Sequence, residues 1–111
     1  MKVIRIAEAL AELDNINDEI QHKGCLEGPG FTVGLVSFRP DRRGDNKQIV
    51  HDDKDVVCHV LKGNGQLWIG EEVTELEPGV LCHIPSGTPH DFRAVTTDSL
   101  VICYSLISIR S

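Results

Sequence analysis

The sequence predicts an all-β protein, a double-stranded β-helix of the jelly-roll type preceded by a short N-terminal helix. Three observations lead to this fold class. Apolar residues alternate with polar or small ones in segments that follow residue 30, as strands with one buried face require. Turn-forming residues separate nearly all of these segments, and no helical pattern lies between them. Short antiparallel strands at regular spacing are typical of a double-sheet jelly roll.

A short amphipathic helix is predicted to open the chain, within residues 6–19. The apolar residues that share its face are Ile6, Leu10, Leu13 and Ile16. Glycines at positions 24, 28 and 30 then predict a loop before the first long strand. We therefore expect one domain over residues 1–111, with the helix and loop in residues 1–30 and a β-barrel in residues 31–109.

The predicted strands follow one another with tight connections. The first is Phe31–Phe38, which ends before Pro40 because proline lacks the amide hydrogen that a strand ladder needs. The further segments are residues 49–51, 56–61, 66–69, 72–76, 80–84, 90–95 and 100–107. Their separators include residues 63–65, 70–71, 78–79 and 85–87, each of which contains glycine or proline, and the Thr-Asp pair at residues 97–98.

Composition and charge argue against several classes of function. The formal net charge is −6, whereas a nucleic-acid-binding surface needs a basic stripe. Arg5, Glu8 and Glu12 interrupt the apolar run that a signal peptide requires. No apolar stretch approaches the roughly 20 residues of a membrane-spanning helix. We expect a cytoplasmic protein that binds neither nucleic acid nor membranes.

The most informative segment is the turn that leads to His90. The residues follow the spacing Gly79-x5-Pro85-x-Gly87-x2-His90. Proline and glycine two residues apart fix a tight reversal, so the imidazole is held on a rigid element at the start of a strand. Rigidly held imidazoles of this kind often bind metals.

This spacing resembles the second signature motif of the cupin superfamily. Phe92 and Arg93 continue the resemblance, whereas Ala94 replaces the asparagine that is usual in the family. Five fixed points within fifteen residues make the match moderately specific. The resemblance implies a cupin barrel, which agrees with the predicted strands.

Residues 60–65, Val-Leu-Lys-Gly-Asn-Gly, resemble the end of the first cupin motif. The family usually has His-x-His, three or four residues, Glu, six residues and then Gly. Counting back from Gly63 places the carboxylate position at Val56 and the two histidine positions at Ile49 and His51. A one-residue bulge would instead place Asp55 at the carboxylate position.

A third alignment makes His51 and Asp53 the ligands and places Cys58 at the carboxylate position. We rank it lower because a slip of this kind must also reorient every inward side chain of the strand. The resemblance therefore implies a divalent metal held by His51, Asp55 and His90. Iron, manganese, nickel and zinc all suit two imidazoles and one carboxylate with open coordination positions.

The four cysteines, at positions 25, 58, 82 and 103, form no Cys-x-x-Cys pair, and we expect reduced thiols. Cys58, Cys82 and Cys103 lie in apolar strand-like segments and should pack as small apolar groups. Strand alternation predicts that, if Cys58 and Cys82 face inward, His59 and His83 face outward. A less favoured alternative is a soft-metal cluster made by three inward cysteines, at positions 58, 82 and 103, with His90.

Taken together, the sequence predicts a small cupin that binds a divalent metal in its barrel and binds or transforms a small molecule. The reaction stays unassigned, because cupins include dioxygenases, isomerases, lyases and binding domains. The alternative is a degenerate barrel that binds or senses a small ligand without turnover, or that has only a structural role. We also expect a homodimer formed through the N-terminal helix and the last strand.

Overall fold

The computed structural model describes residues 1–16, 19–40 and 50–108. In these ranges the elements are α1 (Ile6–Leu10), β1 (Asp14–Asn15), β2 (Ile20–Gly28), β3 (Phe31–Phe38), β4 (Lys54–Lys62), β5 (Gly65–Ile69), β6 (Glu72–Leu76), β7 (Leu81–Ile84), β8 (Asp91–Ala94) and β9 (Leu100–Ser108). No helix in these ranges is long and apolar enough to cross a membrane.

The strands form two sheets, and the fold class predicted from the sequence is confirmed. The large sheet has the order β1-β2-β3-β9-β4-β7, and the small sheet has the order β6-β5-β8. Every neighbouring pair is antiparallel. The main core lies between the sheets, where Leu100 and Ile102 are completely buried.

The N-terminal region differs from the prediction in two ways. The helix is shorter than predicted, because Asp14 and Asn15 already pair with β2. Residues 20–28, predicted as part of a loop, form β2 and pair with β3 from Ile20 opposite Phe38 to Gly28 opposite Phe31. A bulge between Gly24 and Leu26 interrupts the alternation, so the period of two is hidden in the sequence.

A second apolar cluster fixes the helix against the outer face of the large sheet. Ala9 of α1 packs there with the buried residues Cys25 and Leu35. Leu61 and Cys103 border the same cluster. The helix thus covers part of the outer face of the large sheet and stays outside the barrel interior.

Two turn glycines differ in how closely other backbone atoms approach them. Gly63 and Gly70 both have positive φ, at +82° and +59°. A Cβ at Gly63 would lie 3.0 Å from the carbonyl carbon of Ser99 and 3.2 Å from the Cα of Leu100, whereas a Cβ at Gly70 would meet nothing within 4 Å. Backbone atoms cannot rotate away, so Gly63 carries a packing constraint that Gly70 lacks.

We predict that Gly70→Ala lowers the free energy of unfolding by about 1–2 kcal/mol, which is the cost of a left-handed conformation for a residue with a Cβ. Gly63→Ala should lower it clearly further, because the chain near Ser99 must also move. Urea unfolding of both variants measures the difference. Equal decreases in the free energy of unfolding for the two variants would contradict the close approach of the Ser99 backbone to Gly63.

Candidate functional site

A cavity of about 380 Å³ lies inside the barrel and is lined by residues from both sheets. Its apolar walls include Ile20, Val36, Phe38, Val56, Ile102 and Leu106. The polar groups on its surface are His22, His51, His90 and Tyr104, together with the thiol of Cys58. An apolar cavity with a few convergent polar groups is the usual form of a small-molecule site.

His90 immediately precedes β8, and the residue is only 2% exposed. The turn before it contains Gly87 at φ +75°, and the amide of Thr88 donates to the carbonyl of Pro85 over 3.3 Å. The ring nitrogen Nδ1 of His90 lies 2.8 Å from the carbonyl oxygen of Thr88. Because a carbonyl oxygen only accepts hydrogen bonds, Nδ1 carries the proton.

Burial lowers the pKa of His90, and the neighbouring His51 lowers it further, although the hydrogen bond to Thr88 and the charge of Asp91 oppose the shift. The imidazole is therefore neutral at neutral pH, with Nε2 unprotonated. The described residues give Nε2 no hydrogen-bond partner. The ring thus offers the cavity one lone pair, which suits a hydrogen-bond donor or a metal cation.

The structure brings His51 and His90 together. Their ring centroids are 6.1 Å apart, with the ring planes tilted by 37°. His51 lies just before β4, and its backbone carbonyl accepts a hydrogen bond of 2.7 Å from the amide of Gly87. The turn that carries His90 is therefore docked directly on the backbone of His51.

Asp55 does not join the two histidines. Its Oδ2 lies 2.8 Å from Nε2 of His83, an exposed residue of β7, and its Oδ1 accepts a 3.0 Å hydrogen bond from the amide of Ser86. These two hydrogen bonds lower the pKa of the Asp55 carboxyl. The next residue, Val56, is 4% exposed and faces the cavity.

Strand alternation explains this arrangement. In β4 the inward residues are Val56, Cys58 and Val60, so Asp55 faces the opposite side. The bulge that would turn Asp55 inward is absent at this point of the described chain, since the irregularity of β4 lies between Val60 and Lys62. Val56 therefore occupies the inward position at which the cupin motif has its carboxylate.

The metal site predicted at His51, Asp55 and His90 stays a prediction, and the described residues fit it only in part. They include no group of three His, Cys, Asp or Glu side chains arranged to hold a metal ion. Asp53 is exposed. Ile49, the other histidine position of the motif, lies outside the described residues.

The cysteines do not form the alternative cluster. Cys58 faces the cavity and Cys82 is its direct neighbour on β7, but Cys103 lies on the other face of the large sheet, where it borders the second apolar cluster. Burial raises the pKa of Cys58 to about 12, so this thiol stays protonated. The outward orientation predicted for His59 and His83 is confirmed by their exposure.

One pair of cavity residues was missed by the sequence analysis. Nε2 of His22, on β2, is hydrogen-bonded to the hydroxyl of Tyr104, on β9. The two rings stack with centroids 5.5 Å apart. In β2, Ile20, His22 and Gly24 alternate with the polar residues Gln21 and Lys23. If this segment had been recognised as a strand, that alternation would have placed His22 on the inward face with Ile20.

Comparisons with known proteins agree with this architecture. A family model described as "Cupin domain" matches residues 34–107. No curated protein matches the chain. KdgF from Halomonas sp. is 25% identical with a TM-score of 0.73, and the alignment covers 88% of each chain.

Two further solved structures are similar at lower identity and show the fold alone. A predicted oxalate decarboxylase from Thermotoga maritima has a TM-score of 0.80 at 14% identity, covering 96% of this chain and 99% of that one. Ectoine synthase from P. lautus has a TM-score of 0.77 at 17% identity, covering 97% of this chain and 78% of that one.

The hydrogen bond from the Ser86 amide to Asp55 predicts that this carboxylate stabilises the turn at residues 85–88. Asp55→Ala removes the acceptor of the Ser86 amide, so we expect faster hydrogen exchange at Ser86 and Gly87. Asp55→Asn keeps an oxygen that accepts this bond and should retain most of the protection. His83→Ala, which leaves the acceptor in place, serves as the control. Unchanged exchange in Asp55→Ala would show that the turn is held without this carboxylate.

Proposed function

Because this chain belongs to the cupin domain family, we propose that it binds a small organic molecule inside the barrel, with His90 and His51 as polar contacts. The observation that carries the proposal is the neutral imidazole of His90, which offers an unprotonated Nε2 to an apolar cavity of about 380 Å³. A cavity of this size and lining suits a ligand with an apolar body and a hydrogen-bond donor.

The described lining also selects against a charged ligand. It contains no lysine, arginine, aspartate or glutamate, and its polar groups are imidazoles, a phenol and a thiol. A buried ion needs a counter-charge, so an uncharged molecule is favoured. Burial of the apolar body supplies most of the affinity, and the hydrogen bond to His90 supplies orientation.

The similar structures do not select a reaction for this chain. One is named a predicted oxalate decarboxylase and another an ectoine synthase, and both share the fold at under 25% identity. One fold supports several chemistries, which depend on the residues of each site. We therefore propose binding in the barrel and assign no reaction.

Titration with para-ethylphenol and with ethylbenzene tests the proposal. The two molecules differ by one hydroxyl, and we expect wild-type protein to bind both, the phenol more tightly. His90→Leu should weaken para-ethylphenol binding by about 2- to 10-fold, the net value of one hydrogen bond. Calorimetry measures the affinities, and chemical-shift changes at Ile102 and Leu106 locate the ligand.

His59→Leu is the matched control, because His59 is an exposed histidine on the outer face of the large sheet, away from the cavity. Its affinities should equal those of the wild type. Retained ethylbenzene binding in His90→Leu shows that the cavity is intact in that variant. Absence of binding by both probes in the wild type would refute the proposed function.

A divalent metal at His51 and His90 is the second candidate function. Its support is the Nδ1 hydrogen bond to Thr88, because metal-binding histidines usually donate the other ring nitrogen in this way. The metal would supply a Lewis acid inside the barrel. Since Asp55 is engaged by His83 and Ser86, we propose no role for its carboxylate in the interior of the barrel.

Equilibrium dialysis against an excess of iron, manganese, nickel or zinc, followed by elemental analysis of the protein and buffer compartments, tests this candidate. Metal retained by the wild type and by His59→Ala, but lost in His90→Ala, would support it. Less than about a tenth of an ion per chain at excess metal would refute it, because even weak sites fill under that condition.

A homodimer and a cytoplasmic location stay predictions. The outer face of the large sheet exposes Val57, Leu81 and Ile107, and this apolar surface supports an interface between two chains. Helix α1 already packs against its own sheet through Ala9. We therefore propose that the last strand, rather than the helix, contributes most of the contact.

A further inference from the structure

The pair formed by His22 and Tyr104 is the strongest feature of the cavity that the proposed function does not use. The two residues are 82 positions apart in sequence and lie on strands separated by β3. Both side chains line the cavity. Their hydrogen bond and stacked rings make a rigid polar unit on the wall of the large sheet.

Gly34 of β3 makes this contact possible. It is paired with Gly24 on one side and with Tyr104 on the other. A Cβ at Gly34 would lie 2.6 Å from Cζ of Tyr104 and 2.7 Å from the carbonyl oxygen of Lys23. The phenol ring therefore fills the space above Gly34, which lets its hydroxyl reach His22 across the intervening strand.

The hydroxyl of Tyr104 keeps hydrogen-bonding capacity after it has bonded to His22. Burial raises the pKa of Tyr104, so the phenol stays protonated. A phenol hydroxyl has one donor and two acceptor positions, and the bond to His22 uses only one of them. The remaining capacity is available to a molecule inside the cavity.

The second polar unit lies on a different wall from His90. Tyr104 and His22 belong to the large sheet, whereas His90 leads into β8 of the small sheet. Apolar side chains such as Val36, Phe38 and Phe92 also line the cavity. The cavity thus presents polar groups on two facing walls and apolar surface elsewhere.

We propose that the His22–Tyr104 pair is a second ligand contact, which selects uncharged molecules that carry a hydroxyl group at each end of an apolar body. One hydroxyl donates to Nε2 of His90, and the other is bonded by the hydroxyl of Tyr104. This inference rests on the proposed function, because it requires a ligand inside the barrel. It specifies the chemical class of that ligand, an uncharged molecule with two hydroxyl groups, and names the residues that bind the second hydroxyl.

The test compares tyrosol with para-ethylphenol. Both have a phenol joined to a two-carbon chain, and tyrosol carries an additional terminal hydroxyl. We expect the wild type to prefer tyrosol by about 2- to 10-fold, the value of one added hydrogen bond. In Tyr104→Phe this preference should disappear or reverse, because the hydroxyl that bonds the far end of tyrosol is then absent.

Two controls separate recognition from damage to the fold. His59→Leu, on the outer face of the large sheet, should keep the wild-type affinities for both probes, whereas in Tyr104→Phe the ratio of the two affinities is the quantity compared. Gly34→Ala should also abolish the preference for tyrosol, because the new methyl group displaces the Tyr104 ring. Thermal denaturation of both variants confirms that they are folded at the temperature of the titration.

The outcomes distinguish this inference from the proposed function. Binding of both probes with equal affinity in the wild type, or an unchanged preference in Tyr104→Phe, would overturn the second contact and leave the barrel site in place. Failure of both probes to bind the wild type would overturn the proposed function and this inference with it.

Discussion

The docking of the turn at residues 85–88 on the start of β4 is the interaction on which the candidate site depends. The amide of Gly87 donates to the carbonyl of His51, and the amide of Ser86 donates to Asp55. Two backbone amides that would otherwise need water are satisfied by the neighbouring segment. The turn leads into β8 of the small sheet, and the contact attaches it to the start of β4 in the large sheet. As a result, His90 lies beside His51.

Strand alternation then determines which parts of the first cupin motif reach the interior. Val56 and Cys58 face the cavity, while Asp55 and His59 face away from it. Asp55 still acts on the site, but from the outside, because its carboxylate holds the turn that carries His90. The chain thus keeps the cupin fold, but Val56, an apolar residue, occupies the inward position at which the motif has its carboxylate.

Local patterns predicted most of the barrel, and long-range contacts account for what they missed. Phe31–Phe38 and Glu72–Leu76 have the predicted bounds, because clear alternation and strong turn residues border them. Residues 20–28 were missed because Gly24 and Gly28 were interpreted as loop residues and because a bulge interrupts the alternation. The sequence did not determine whether the Asp55 side chain faces the barrel interior, because a one-residue shift of register reverses the direction of every side chain in a strand. The contact of His22 with Tyr104 depends on sheet order, which no local pattern contains.

Burial gives the cavity its chemical character. It lowers the pKa of His90 and raises those of Cys58 and Tyr104, and each shift favours the uncharged form. An uncharged ligand needs no compensating charge there. A metal ion at His51 and His90 would bring positive charge to a lining that contains no carboxylate among its described residues. Such an ion would need an anionic ligand to balance its charge, so the first candidate function implies an uncharged ligand and the second an anionic one.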